Sequence, residues 1–172
     1  MSVLHTATVG TWLQLLPQVA GMIDKAEAHC AEQDLPPQAI TEAKLAPDMW
    51  NWATQVRYAA RHSAGTIEAL RTGVTSPNFN PVPTEFAPLR EIVSDALSAL
   101  RLVTPAEIDA AADRDVRFEY PGGHIDFRGE DYLLTFSLPN FYFHTTTAYA
   151  ILRNLGVKVG KMDFLGQIRT KR

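Results

Sequence analysis

The stretch from Glu130 to Gly166 constrains the fold more than any other part of the sequence. It predicts a long helix, from about Glu130 to Asn154, that is apolar on nearly every side. Aromatic residues surround this helix: Phe136, Phe141, Tyr142, Phe143 and Tyr149. A helix of this composition must be covered on nearly every side. We therefore expect it at the centre of a helix bundle, with another element packed over it, or in a dimer interface.

Four polar residues interrupt one face of this helix at intervals of three or four positions: Ser137, Asn140, His144 and Thr147. Side chains at that spacing lie on the same face. Polar groups on an otherwise apolar face are costly to bury unless they are paired. The stripe therefore predicts either a pocket or hydrogen bonds to neighbouring helices. Pro139 lies within it, lacks a backbone N–H, and is expected to kink the helix.

Apolar residues that recur every three or four positions predict three further helices. The first covers residues 4 to 31, the second begins after Asp48 and ends at Gly73, and the third runs from Thr84 to Leu100. Asp48 and Thr84 are the expected N-caps of the second and third helices, because their side-chain oxygens can accept from free backbone N–H groups.

The period changes to two between the third and fourth helices. Val116, Phe118 and Tyr120 alternate with charged residues, and the alternation resumes after a Gly-Gly turn. Two such runs predict a β-hairpin. The expected fold is therefore all-α, a four-helix up-and-down bundle with a small hairpin inserted before the last helix. We expect residues 1–172 to form one domain, with a partly extended tail from about residue 161.

Composition excludes some classes of function. The 172 residues carry a net charge of −3 and are 46% hydrophobic, which is ordinary for a globular domain. A nucleic-acid surface would need an excess of clustered Lys and Arg. No apolar stretch approaches the roughly 18 residues that span a bilayer. One cysteine, Cys30, and an opening segment without a signal-peptide pattern predict a cytoplasmic protein.

The second predicted helix carries polar residues that match the stripe on the fourth. Asp48, Gln55 and His62 are each seven positions apart, so they share a helix face with Trp52. If the second and fourth helices are neighbours, Gln55 or His62 meets His144. The candidate ligand-binding residues are Gln55, Asn140, His144, Ser137 and Trp52.

The only cofactor that these residues suggest is a divalent metal. Zinc and nickel prefer imidazole ligands, which makes His144 the first metal candidate and His62 and His5 weaker ones. The sequence contains no Gly-rich phosphate loop, no Cys-x-x-Cys pair, no His-Glu-x-x-His motif and no nucleophile elbow. The residues alone therefore predict no reaction, and whether the protein is an enzyme stays open.

Three segments resemble a bacterial family of unknown function. They are LPNFYFHTTTAYAILRNLGVKVGKMDFLG in and after the last helix, LAPDMWNWATQVRYAA in the second helix and DKAEAH in the first. That family is similar to the DinB/YfiT-like superfamily of metalloenzymes. The resemblance implies a four-helix bundle, commonly a homodimer, that holds a divalent metal through three histidines. His144 matches one of these histidines, whereas Asn140 and Gln55 stand at the positions expected for the other two.

Three hypotheses follow. The first is an uncharacterised DinB-like homodimer that binds a small molecule beside Gln55, Asn140 and His144, with a degenerate metal site. The alternative is a divalent-metal-dependent transferase or hydrolase, in which His62 or His5 and a water complete the coordination of a metal by His144. The third is that the polar patch only fixes the packing of the helices and that the protein acts through its surface.

Overall fold

A computed structural model describes residues 2–171 of the chain. The chain is mostly helical with one small three-stranded sheet, which confirms the coarse prediction from the sequence. In chain order the elements are α1 (Val3–Ala7), α2 (Val9–Glu32), α3 (Gln38–Thr41), α4 (Trp52–Arg61), α5 (Ala64–Thr72), β1 (Val74–Thr75), α6 (Phe86–Leu100), α7 (Pro105–Ala111), β2 (Asp115–Tyr120), β3 (Gly123–Arg128), α8 (Gly129–Asp131), a π-helical segment (Tyr132–Ser137), α9 (Leu138–Asn154) and α10 (Lys161–Leu165).

Two of the predicted helices are divided. The first breaks at Thr8 into α1 and α2, while Pro17 stays inside α2 without ending it. The second breaks after Arg61, so that His62 follows α4 and Ser63 precedes α5. Because both pieces of each predicted helix keep the same apolar period, the sequence pattern alone does not reveal these breaks.

The predicted N-caps of α4 and α6 were wrong. Asn51, not Asp48, caps α4, and its side chain accepts from the backbone N–H of Thr54 at 3.0 Å. Asp48 lies earlier, in the turn that leads into the helix. Glu85, not Thr84, precedes α6 and makes no side-chain capping bond there. Both helices therefore begin later than the predicted caps implied.

The last long helical stretch changes its geometry near Pro139. The π-helical segment precedes α9, and Pro139 occupies the first turn of α9. Proline has no N–H to donate to the carbonyl of Thr135, so regular α-helical bonding cannot continue through this point. In the next position, the side chain of Asn140 donates to the carbonyl of Phe136 at 2.8 Å. The change of helix geometry that Pro139 predicts is therefore present, as a widened π-helical turn.

Packing between the helices places α4 against both α9 and α6, and α2 against α6. The largest fully buried side chains include Trp12, Trp52 and Phe141, which lie on three different helices. Their burial provides much of the apolar stabilisation of the core. The α4–α9 contact matters most for function, because it brings the two predicted polar faces together. Within residues 2–171, no helix has both the length and the apolar character required to cross a membrane.

The sheet covers one side of the last helix. Strands β2 and β3 form an antiparallel hairpin, and their two-residue turn includes Gly122 at a φ of 102°. The short strand β1 pairs in parallel with β2, which the sequence did not predict. Phe118 and Phe127 of the hairpin lie against Phe136, at ring-centroid distances of 4.9 and 5.4 Å. The hairpin thus covers the aromatic side of the π-helical segment.

The C-terminal segment is not extended throughout, because residues 161–165 form α10. Two contacts attach this short helix to α2. Lys25 forms an ion pair with Asp163 at 2.7 Å, and the side chain of Gln14 donates to the carbonyl of Leu165 at 3.1 Å. Residues 166–171 form no regular helix or strand.

Gly129 joins the hairpin to the last helix in a position that has no room for a side chain. Its backbone N–H donates to the carbonyl of Arg114 at 2.7 Å, and a Cβ at this position would collide with the carbonyl oxygen of Ala111. Gly21, on the exposed face of α2, has nothing within 4 Å of the same hypothetical atom. The two glycines therefore provide a matched comparison.

We predict that Gly129→Ala lowers the free energy of unfolding by about 1–3 kcal/mol, because the backbone of the α7 end must move. Gly21→Ala should instead raise it by about 0.5–1 kcal/mol, since alanine is the better helix former. Urea denaturation of both variants measures the difference. Equal effects at the two positions would contradict the close approach at Gly129.

Candidate functional site

A cavity of about 470 Å³ lies between α4, the last helical stretch and the hairpin. Its aromatic walls are formed by Trp50, Tyr58, Phe118, Tyr132, Phe136 and Phe143. Its polar and charged lining residues include Asp48, Gln55, Arg61, His62, Asn140 and His144. All three members of the predicted line at seven-residue spacing, Asp48, Gln55 and His62, therefore reach the same cavity as His144.

His144 and Gln55 join α9 to α4 through a short hydrogen bond. Nδ1 of His144 lies 2.7 Å from Oε1 of Gln55, and the histidine is only 4% exposed. The amide nitrogen of Gln55 donates to the carbonyl of Trp50 at 3.1 Å, which turns the amide oxygen toward the imidazole. An amide oxygen can only accept, so Nδ1 of His144 carries the proton.

The opposite nitrogen of His144 is consequently a hydrogen-bond acceptor. With the proton on Nδ1, Nε2 keeps its lone pair. Nε2 makes no hydrogen bond with any residue from 2 to 171, and His144 lines the cavity. The pair thus presents a fixed, neutral acceptor to whatever occupies the cavity.

Three rings lie nearly parallel beside the cavity. The ring of His144 is between those of Trp50 and His62, at centroid distances of 5.8 and 5.5 Å and with interplanar angles of 12° in both cases. Tyr58 is tilted against all three, at 4.4 to 5.9 Å. Aromatic contacts of this kind add to the stabilisation gained from burial. They hold both imidazoles in fixed planes.

Both histidines are neutral at physiological pH. Burial, followed by the neighbouring His144 and the charge of Arg61, lowers the pKa of His62 to about 3. Burial alone lowers the pKa of His144 to about 4. Each ring therefore offers one N–H donor and one nitrogen acceptor, without a charge.

Asn140 lies where the polar stripe placed it, half-buried and at the cavity wall. Its amide nitrogen donates to the carbonyl of Phe136, so its oxygen is left as a second acceptor. Asn140 and His144 are one helical turn apart on α9, which explains why both reach the cavity.

Ser137 and Trp52 do not line the cavity. The hydroxyl of Ser137 is fully buried and accepts from Thr66 at 2.9 Å. The indole of Trp52 is 0% exposed and donates to the carbonyl of Ala148 at 3.2 Å. Both side chains are paired with neighbouring helices, which is the packing role that the sequence left open as an alternative.

The residues present do not fit the three-histidine metal site that the resemblance implies. His5 lies away from the cavity, and its Nε2 is 3.2 Å from the carbonyl of Val103. Only His62 and His144 bring imidazoles to the cavity. Residues 2–171 contain no group of three or more His, Cys, Asp or Glu side chains placed to hold a metal ion. The amides of Gln55 and Asn140 are poor ligands for zinc or nickel.

Trp50, Tyr58 and Arg61 are among the cavity residues that the sequence reasoning missed. Tyr58 could have been found, because it lies three residues after Gln55 and four before His62 on the same helix face. Trp50 precedes the helix and lies in no periodic pattern, so no signal marked it.

The His144–Gln55 bond provides a direct test of this geometry. Gln55→Leu should lower the free energy of unfolding by about 1–3 kcal/mol, because the N–H of His144 and the carbonyl of Trp50 lose their partner. The double variant Gln55→Leu/His144→Phe should lose less unfolding free energy than the two single variants lose together. In the double variant both polar partners are absent, so neither is left unpaired by the other's removal. Urea denaturation of the four proteins measures the coupling. Strict additivity would show that the two side chains are not paired.

The neutral histidines predict a pH dependence of stability. Their pKa values are about 6.5 in the unfolded chain but about 3 and about 4 in the folded protein. As the pH falls below about 6.5 the unfolded chain binds protons that the folded protein does not, so stability decreases toward pH 4, by up to about 1.4 kcal/mol per pH unit for each ring.

His144→Phe should remove one of the two contributions and reduce this slope. Urea denaturation between pH 7 and pH 4.5 provides the measurement, and the difference between wild type and variant cancels the titration of carboxylates. An identical slope in the two proteins would show that the folded protein does not hold His144 neutral.

Comparison with known proteins agrees with the fold and the resemblance. The profile of the DUF1993 family, a domain of unknown function, matches residues 4–165. A crystal structure of a DinB family member protein from Shewanella denitrificans superposes with a TM-score of 0.82 and 30% sequence identity, covering 98% of this chain and 95% of that one. No curated protein shows significant similarity to the chain. The chain therefore belongs to the DUF1993 family, a domain of unknown function within the DinB-like superfamily.

Proposed function

We propose that the protein binds a small molecule in the cavity beside His144. The observation that carries the proposal is the hydrogen bond from Nδ1 of His144 to Gln55, which leaves Nε2 free to accept from a ligand. The cavity of about 470 Å³ lies within the range of small-molecule sites, which are mostly apolar with a few placed polar groups. Gln55, Asn140 and His144 are those polar groups in this proposal.

The lining residues suggest the general chemistry of the ligand. Six aromatic side chains form the walls, and aromatic walls favour a flat ring. Nε2 of His144 and the oxygen of Asn140 both accept hydrogen bonds. A ligand with a planar ring and an O–H or N–H donor would therefore satisfy groups that the protein itself leaves unpaired.

The divalent-metal transferase or hydrolase has less support. A catalytic metal of this type needs three protein ligands, and only two imidazoles line the cavity. Nδ1 of His144 is already bonded to Gln55, which leaves one nitrogen of that ring. The packing-only hypothesis also has less support, because pure packing would pair the polar atoms, and neither ring nitrogen of His62 is hydrogen-bonded within residues 2–171.

The finer architecture and the homodimer belong to the same proposal. We take the four long helical stretches as an up-and-down bundle with the hairpin inserted before the last one. Leu134, Tyr142 and Phe143 of the last helical stretch are 37%, 41% and 55% exposed. Exposed apolar side chains on this stretch are compatible with the expected homodimer, which stays a prediction.

Phenol and anisole provide matched probes, because both carry the ring and only phenol carries the donor. We predict saturable binding of phenol, with a Kd on the order of millimolar for so small a compound, and weaker binding of anisole. Phe143→Ala should weaken phenol binding, because Phe143 lines the cavity. Tyr142→Ala is the control, since this neighbouring aromatic residue is similarly exposed but is not a lining residue. Saturation-transfer NMR measures the binding of phenol and anisole to the wild type and to each variant.

Two results would contradict the proposal. Absence of saturable binding by either compound would argue against a ligand site, and so would an equal loss of binding in the two variants. Stoichiometric zinc or nickel in untagged protein that was never exposed to chelators, lost on His144→Ala, would favour the metal-dependent enzyme instead.

A further inference from the structure

Arg61 is a cation at the cavity wall without a carboxylate partner. It is the last residue of α4, is half-buried and lines the cavity. One of its terminal nitrogens donates to the carbonyl of Ser76 and to the hydroxyl of Thr75. No ion pair joins it to an acidic residue among residues 2–171. The remaining N–H groups of its guanidinium are available to an anion, for which the planar fork is well suited.

His62 is a second unpaired group directly beside Arg61. It is 9% exposed, and its ring contacts are with Tyr58, Phe136 and His144. Neither of its ring nitrogens is hydrogen-bonded within the described part of the chain, although it lines the cavity. The ring nitrogens of His62 are not fully buried, so a molecule in the cavity can reach them. A ligand oxygen could therefore accept from the N–H of this ring.

The charges around the cavity favour an anion over a cation. Asp48 is the acidic lining residue, but it is exposed, so water and salt screen its charge. Arg61 is half-buried, and its charge contributes to lowering the pKa of His62. The positive charge is therefore felt inside the cavity, among the aromatic rings.

We propose that the ligand is a small aromatic acid whose anionic group lies between Arg61 and His62. The ring would occupy the space between the aromatic walls, with its polar substituent near Nε2 of His144. This inference rests on the proposed function, and it adds that the site selects by negative charge. Carboxylate and phosphonate share the required chemistry, so the experiment includes both.

Benzoate, phenylphosphonate, benzamide and benzylamine share one ring and differ in charge. Titrations followed by protein NMR shifts should show that an acid binds roughly tenfold tighter than benzamide, which is the usual effect of one charge-assisted hydrogen bond. Benzylamine should bind most weakly. Arg61→Gln should bring the acids to within about twofold of benzamide, and Arg61→Lys should keep part of the preference.

Arg57→Gln is the matched control variant. Arg57 lies one turn earlier on α4 and holds the same loop, donating to the carbonyls of Asn78 and Asn80 at 3.1 and 2.6 Å, but it does not line the cavity. The preference for acids should therefore survive in Arg57→Gln. An equal loss of the preference for acids in Arg57→Gln and Arg61→Gln would overturn the proposal. It would show that the preference depends on the loop that both arginines hold and not on the charge of Arg61.

The remaining outcomes separate this inference from the proposed function. If benzamide binds as tightly as the acids and competes with phenol, the selection by charge is wrong and the small-molecule site stands. Tighter binding of benzylamine would assign the selectivity to Asp48 and would overturn the inference in the same way. If no compound binds saturably, including phenol, both the inference and the proposed function fail.

Discussion

The hydrogen bond between His144 and Gln55 is the interaction on which the cavity depends. It joins α9 to α4, fixes the proton of the imidazole on Nδ1 and leaves the other nitrogen as a hydrogen-bond acceptor. The resemblance to the DinB-like superfamily implies a histidine where Gln55 stands. An imidazole there could coordinate a metal together with His144, whereas the amide oxygen of Gln55 accepts a hydrogen bond from that ring. With Asn140 at the other expected histidine position, the two amides favour hydrogen bonding over metal coordination.

Part of the cavity wall is formed where the last helical stretch departs from regular α-helical geometry. Pro139 cannot donate to the preceding turn, and the chain adopts a π-helical segment before α9. Phe136 lies in this segment, where the hairpin residues Phe118 and Phe127 cover it. Asn140 supplies a donor to the carbonyl of Phe136. The π-helical turn, the hairpin side chains that cover Phe136 and the amide of Asn140 therefore lie together at one point of the last helical stretch.

Helical periodicity predicted the polar side of the cavity because spacing determines which residues share a face. Gln55, His62 and His144 lie together as the spacing indicated. The same rule failed for Trp52 and Ser137, which lie on the predicted faces but are paired with neighbouring helices. Whether a side chain on a face meets a cavity or another helix depends on tertiary packing. Trp50 and strand β1 lie in short irregular segments, where no period exists to read.

Two arginines on α4 differ in where their side chains lie. Arg57 and Arg61 are one turn apart and both donate to carbonyls of the loop after β1. The terminal nitrogens of Arg57 donate to that loop, whereas Arg61 lies at the cavity wall beside the neutral His62. With both imidazoles uncharged, the half-buried charge of Arg61 is opposed by that of the exposed Asp48, which water and salt screen. Such a site favours an anionic ligand without needing a metal to provide the charge.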